Sequence, residues 1–408
     1  MTRTELRLAD ALDAAATALR EDTLRPLLVP QRPRRRAAWL ASAAAAASLL
    51  LVTGVAAAVA GHLPGSGNGA TPPPRYYVEV SDHGDLPVVR STATGTVTAR
   101  VQVPHPSRAL GPYLVTAAAN GLFFTVVPAA AGVQIYRFRL TAAGRVSSLG
   151  ALPGGALPGS QTAPHAVAAS PDGSRVAVAV NAGRDDQIDV VDTADGTRSV
   201  WQGGIEPSYG FSVTSLSWTG SGNELVYYGE WCPQAQPQQS PSQEGTLAQA
   251  LRACEAGTAG EGAKAEAWKL DPASRGGLLT SGRRLFSLPA GPYLPQVVIS
   301  RDGTTLTALS LRANRAGTPE HLSVEQISVT TGKLSGVLYS QDLGRAAAAK
   351  GQPAYLNPIS LSADASGQHW MLFCDGSAQC GAGLNGWIDN GRLVPLQPAD
   401  GSVASEAW

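Results

Sequence analysis

The chain has 408 residues, with 31 basic side chains against 31 acidic ones and a formal net charge of zero, so the broad positive field that nucleic-acid binding requires is missing. A composition with 45 Gly, 29 Pro and only 15% charged residues excludes a long-helix or coiled-coil protein and suits many short strands joined by tight turns. The length exceeds one ordinary domain, yet propellers and barrels reach this size as single units.

Residues 1–36 read as a cytoplasmic leader. Thr2 and Glu5 form a capping box, and Leu8, Leu12, Ala15 and Leu19 share one face of a helix ended by Pro26. An amphipathic helix of this length either docks on a cytoplasmic partner such as a regulator, lies on the membrane surface, or is a partly disordered tail. Residues 37–60, AAWLASAAAAASLLLVTGVAAAVA, carry no charge. At about 1.5 Å per residue they span about 36 Å, enough to cross a hydrocarbon core of about 30 Å as one transmembrane helix. Arg32 and Arg34 to Arg36 lie only before this segment, and the linker at 61–74, GHLPGSGNGATPPP, is uncharged. The positive-inside rule then leaves the N-terminus in the cytoplasm and makes the rest extracytoplasmic, on a single-pass cell-membrane protein. A cleaved signal peptide ending at Ala58-Val59-Ala60 gives the same compartment, and a buried Ala-rich helix is the third reading.

From residue 75 onward a turn recurs ahead of a strand-like run. It stands at Ala93-Thr94-Gly95, Ala142-Ala143-Gly144, Ala194-Asp195-Gly196, a looser Gly276-Gly277, Thr330-Thr331-Gly332 and Asp389-Asn390-Gly391. Successive last glycines are 49, 52, 81, 55 and 59 residues apart, near the length of a four-stranded blade once an insertion at about 230–263 is removed. A second turn recurs between β-rich segments, at Asn120-Gly121, Asp172-Gly173, Gly220-Ser221-Gly222, Asp302-Gly303 and Asp364 to Gly367. Six turns of the first kind and five of the second predict an all-β, six-bladed β-propeller over 75–408, in preference to five or seven blades. The first blade opens on its second strand, RYYVEVS, so its innermost strand must come from the tail SVASEAW if that tail is not frayed.

SPDGSRVAVAV at Ser170 to Val180 and SRDGTTLTALSL at Ser300 to Leu311 resemble the serine-x-aspartate-glycine signature of WD-repeat-like propellers, including the periplasmic Tol-type ones. The resemblance implies four strands per blade, a to d, with a nearest the axis, and a binding or scaffolding role more often than catalysis. No glycine-histidine or tryptophan-aspartate repeat signature of the cytoplasmic WD subfamily is present over 75–408.

In such a blade the a–b and c–d turns share one face, leaving the long b–c and d–a connections on the other. The b–c loops hold NAGRDDQ near Asn181, the insertion, RANRAGTPE from Arg312, and 374–383. Cys232, Cys254, Cys374 and Cys380 pair most simply as Cys232–Cys254 and Cys374–Cys380 disulfide bonds on this face; free thiols and a four-thiolate zinc site are the alternatives, the latter lacking a Cys-x-x-Cys chelate. The d–a connections place Tyr113, Tyr209, Tyr293 and Tyr355 where the chain drops into the innermost strand, so these and Trp231 are the candidate ligand-binding residues. The alternative role of the tyrosines is packing of blade against blade, and that of Trp231 is the local hydrophobic core of the inserted loop.

Asp185, Asp186, Asp189, Asp192 and Asp195 lack the glycine-and-glutamate register of a calcium loop and are expected on a solvated strand. No catalytic residue, cofactor or metal ligand is nominated. The expected function is a non-enzymatic extracytoplasmic binding or sensor module for an envelope or extracellular ligand, protein or glycan. A propeller hydrolase or lyase acting in the central channel and a sigma-factor-linked membrane regulator working through Leu8, Leu12 and Leu19 are the alternatives.

Overall fold

The computed structural model describes residues 73–81, 86–104, 113–129, 132–158, 164–181, 186–203, 209–233, 264–289, 293–313, 319–342, 359–364, 366–374, 384–396 and 403–408. The chain divides into two compact units, Met1–Ser66 and Gly67–Trp408, of which the first lies wholly outside the described residues. The expected leader helix and transmembrane helix therefore lie outside them too. No helix among the described residues is long and apolar enough to cross a membrane.

The second unit is a six-bladed β-propeller. Blade 1 contains β1 (Tyr76–Ser81), β2 (Val88–Ser91) and β3 (Val97–Arg100); blade 2 contains β4 (Leu114–Ala118), β5 (Leu122–Ala129), β6 (Gly132–Leu140) and β7 (Val146–Pro158). Blade 3 contains β8 (Ala166–Ala169), β9 (Arg175–Asn181), β10 (Asp186–Asp192) and β11 (Arg198–Gln202). Blade 4 contains β12 (Tyr209–Trp218), β13 (Leu225–Pro233), β14 (Lys264–Leu270) and, beyond the two-residue β15 (Gly276–Gly277), β16 (Arg283–Pro289). Blade 5 contains β17 (Tyr293–Ile299), β18 (Thr305–Ala313), β19 (Pro319–Ser328) and β20 (Leu334–Asp342). Blade 6 contains β21 (Ile359–Ala363), β22 (Trp370–Cys374), β23 (Gly386–Asp389) and β24 (Arg392–Pro395). The last strand, β25 (Val403–Ala407), pairs antiparallel with β1 on the side away from β2 and so becomes the innermost strand of blade 1. The tail closes the ring: β25, β4, β8, β12, β17 and β21 touch one another in a complete circuit.

Strand periodicity explains how the core is divided. In β9, Val176, Val178 and Val180 pack into blade 2, while Ala177 and Ala179 face blade 4. In β1, Val78 and Val80 pack against blade 2 while Tyr77 faces blade 6. Each blade is thus covered on both faces, and the apolar core is six seams rather than one centre. Inner strands such as β5, LFFTVVPA, are apolar almost throughout because neither face meets water, whereas the outer strands β3 and β20 are largely exposed.

The recurring turns have a defined chemistry. In the turn after β8, Ser170 Oγ donates to Asp172 Oδ1 at 2.7 Å and accepts the Arg175 N–H at 2.9 Å, while Asp172 Oδ1 accepts the Ser174 N–H at 3.0 Å. Ser300, Asp302, Thr304 and Thr305 repeat the pattern in blade 5. Gly173 completes the turn at φ 71°, where a Cβ would also lie 2.5 Å from Leu122.

Blade 4 departs from the expected repeat. The run expected to follow Gly276-Gly277 directly as a strand instead begins with a 3-10 turn at Leu279–Ser281, and β16 starts at Arg283. The cause is β15, which leaves blade 4 to pair in parallel with β11 and makes blade 3 a five-stranded sheet. The outer strand of blade 2 also runs further than expected, through Pro158.

An innermost strand has one edge without a neighbouring strand, so part of its backbone needs other partners. Side chains of adjacent blades supply them. Ser405 Oγ accepts the Val115 N–H at 3.1 Å and donates to the Val115 C=O at 3.2 Å; Ser215 makes the same two bonds to Val297, at 3.1 and 2.8 Å. Ser217 accepts the Ile299 N–H at 2.9 Å, Thr116 that of Ala169 at 3.1 Å, and Asp186 Oδ2 that of Val213 at 2.6 Å. Replacing Ser215 by Ala leaves both Val297 groups buried without these bonds and should destabilise the propeller by about 1–3 kcal/mol in denaturant unfolding. A loss within experimental error would show that the hydroxyl bridges are dispensable.

Candidate functional site

The six innermost strands surround a channel with a cavity of about 220 Å³. Its wall is hydroxyl-rich, with Thr116, Thr214, Ser215, Ser217, Ser360 and Ser405 among the lining residues. All innermost strands run from the d–a connections toward the a–b turns, so the channel has a loop-bearing end and a tight-turn end.

At the loop-bearing end, Tyr209 and Tyr293 are the first residues of β12 and β17. Trp231 lies opposite Phe211 and Cys232 opposite Gly210, so the register brings Trp231, Cys232 and Tyr209 to one end of blade 4. These are backbone placements only; the four side chains lie outside the described residues, as do Tyr355, Cys254 and Cys380 entirely. Cys374 ends β22 opposite Ile359, with its side chain likewise outside. Tyr113 is fully buried among Val78, Val80, Val89 and Phe138 at the seam of blades 1 and 2, where its ring serves packing. His165, which no sequence motif marks, stands at this end ahead of β8. Its side chain, 36% exposed, lines the channel, with Nε2 3.7 Å from Asp186 Oδ1.

At the tight-turn end, Asp364 anchors a polar and aromatic cluster. It accepts the Ser366 hydroxyl, the backbone N–H groups of Gln368 at 3.0 Å and His369 at 3.2 Å, and pairs with His369 Nδ1 at 2.9 Å. The His369 ring stacks on Trp408 at 6.2 Å and meets Trp387 edge-on at 6.1 Å. Trp408 and Asp364 also border a second cavity of about 340 Å³, shared with Arg75, Tyr76 and Phe123. Burial works to raise the Asp364 pKa, but the hydrogen bonds from Ser366 and His369 outweigh it and hold the carboxyl below its usual value.

The aspartates of β10 do not form a solvated strand. Asp186 and Asp189 are buried, at 3% and 0% exposure, because β10 is sandwiched between blades. Asp189 is matched by Arg198 and by Gln187 Nε2 at 2.9 Å, and burial still raises its pKa. Glu79, Glu266, Glu325 and Glu406 are buried acids as well, and the sequence reading singled out none of them. The signal lay in their position within strands that both neighbours cover. Among the described residues, no group of three or more His, Cys, Asp or Glu side chains is placed to hold a metal ion.

Asp364→Ala removes the anchor of His369 and, through it, of Trp408. It should cost about 2 kcal/mol or more by thermal or denaturant unfolding. Because the Asp364 pKa is depressed, its contribution is full above the usual value of 3.8 and is lost as pH falls through the folded-state value, so the variant should lose part of the acid sensitivity of the parent. A variant as stable as the parent, with the same acid limb, would refute this role.

No protein-family model and no curated protein matches the sequence. Solved structures do. TolB from Acinetobacter baumannii is similar at 14% identity and a TM-score of 0.45, over 82% of this chain and 65% of that one, so the chain spans under two thirds of the length of that protein. Hydrazine synthase from Kuenenia stuttgartiensis is similar at 13% identity and a TM-score of 0.39, over 71% of this chain and 68% of that one. A functionally unknown protein from Desulfotomaculum acetoxidans is similar at 12% identity and a TM-score of 0.40, over 80% of this chain and all of that one. At these identities the likeness concerns the fold alone, and the six blades are established by the strand pairing described above.

Proposed function

We propose that the chain is an extracytoplasmic binding propeller, tethered to the cell membrane by residues 37–60, that takes its ligand at the loop-bearing end of the central channel. The observation that carries this reading is the closed ring itself: six innermost strands enclose a hydroxyl-lined cavity of about 220 Å³ and bring the start of every blade to one rim. Concave sites with a few convergent polar groups on a rigid scaffold are where small ligands and peptide ends are held. In this reading Tyr209, Tyr293, Tyr355 and Trp231 supply aromatic surface there, and the His165 ring, beside Asp186, a polar edge. Disulfides Cys232–Cys254 and Cys374–Cys380 brace the loops around that rim.

A reporter active only outside the cytoplasm, fused after Trp408, should be active, and an inactive fusion removes the tether and the compartment together. For the site, the full-length chain in detergent is screened on arrays of envelope glycans and peptides. Tyr293→Ala and Trp231→Ala should each weaken the strongest hit at least tenfold with unchanged melting temperature, since one buried aromatic contact contributes about 1.5 kcal/mol or more. Unchanged binding in both variants would move the site away from this rim.

A further inference from the structure

β25 closes the ring, and its one acid is opposed by another acid. In the antiparallel register of β25 with β1, Glu406 stands directly across from Glu79. Both are buried, at 5% and 3% exposure, in the seam between blades 1 and 6. A single guanidinium, Arg90 on β2, pairs with Glu79 and is itself held by the Gly95 C=O at 2.8 Å. Glu406 receives the Ser360 hydroxyl from β21. Among the described residues, the groups that act on Glu406 are Glu79 and Tyr77 from β1 and the Ser360 and Ser362 hydroxyls from β21, while Arg90 on β2 reaches Glu79; Met371 and Phe373 of blade 6 pack with Tyr77 in the same seam. The apolar cluster here, Tyr77, Met371, Phe373, Leu396 and Trp408, is the smallest of the six seams among the described residues.

With both carboxyls ionised, this seam buries two negative charges against one positive charge. With Glu406 protonated, Glu79 and Arg90 balance and the acid can donate a hydrogen bond. We propose that Glu406 makes the closing strand a pH-sensitive latch: the ring is held shut while Glu406 is protonated and β25 loosens from β1 as it ionises. Release would expose the edge of β1, a template for strand addition. Burial pushes Glu406 up to about 7, with the Ser360 and Ser362 hydroxyls opposing the rise and Glu79 adding to it; burial also raises Glu79 despite Arg90 and Tyr77. Because the folded-state pKa lies above the usual 4.5, the stabilisation is complete below 4.5 and is lost as pH rises to about 7.

The test is native-state hydrogen exchange on the full-length chain at pH 5.5 and pH 7.5, corrected for the intrinsic pH dependence of exchange. Opening of β25 and β1 should rise by about tenfold per pH unit within the window below 7, while β9 and β10 in blade 3 do not follow. In Glu406→Gln, an uncharged isostere that keeps the bond to Ser360, the seam should open equally at both pH values. An equal pH response in parent and variant overturns the latch. Should the variant fail to fold, a carboxyl carbon titration of the parent decides: a Glu406 midpoint near 7 supports the latch, and one near 4.5 overturns it.

Discussion

The propeller depends on one geometric constraint, that six twisted sheets close into a ring whose innermost strands do not pair with one another as strands. Each of those strands therefore has a free backbone edge at the channel. Ser405, Ser215, Ser217, Thr116 and Asp186 answer it from neighbouring blades, tying blades 1 to 5 in succession. The serine and threonine of the channel wall are thus first a structural provision and only then a polar surface available to a ligand.

The same closure explains the division of the core and the presence of charge inside it. A strand sandwiched between blades sends alternate side chains to two seams, so an acid at either parity is buried. Asp189 and Glu79 are tolerated because Arg198 and Arg90 reach them from the adjacent strand of the same blade. Such pairs contribute little net stability against their desolvation, but loss of one partner leaves a buried charge exposed to no compensating group. The seam of blades 1 and 6 differs because a second acid arrives on β25, which comes from the far end of the chain and brings no cation with it.

The two ends of the channel differ in how far chemistry can be read from them. The tight-turn end is ordered by its own hydrogen bonds, with Asp364 seating His369 and His369 seating Trp408. At the loop-bearing end the backbone register of β12 with β13 sets Tyr209, Trp231 and Cys232 at one end of blade 4, and β17 opens there on Tyr293. Tyr113 shares with Tyr209 and Tyr293 a place at the start of an innermost strand, and its ring is enclosed by blades 1 and 2.

Much of the architecture was legible in the sequence because propeller turns are local. Short turns closed by glycine or asparagine mark strand reversals from local sequence alone, and in two blades a serine two residues before an aspartate-glycine pair satisfies the turn's own backbone, so the blades could be counted from turns. The missing innermost strand of blade 1 followed from that count, since a tail with strand character was the only unassigned segment. What the sequence could not disclose is which neighbour each face meets. Whether Asp186 and Asp189 are solvated or buried, whether Tyr113 packs or projects, and that Glu406 faces Glu79 are decided by pairings between segments distant in sequence. The excursion of β15 to blade 3 belongs to the same class, because a two-glycine strand has no side-chain pattern to announce it. Local hydrogen bonding made the blades readable; the seams exist only once the ring closes.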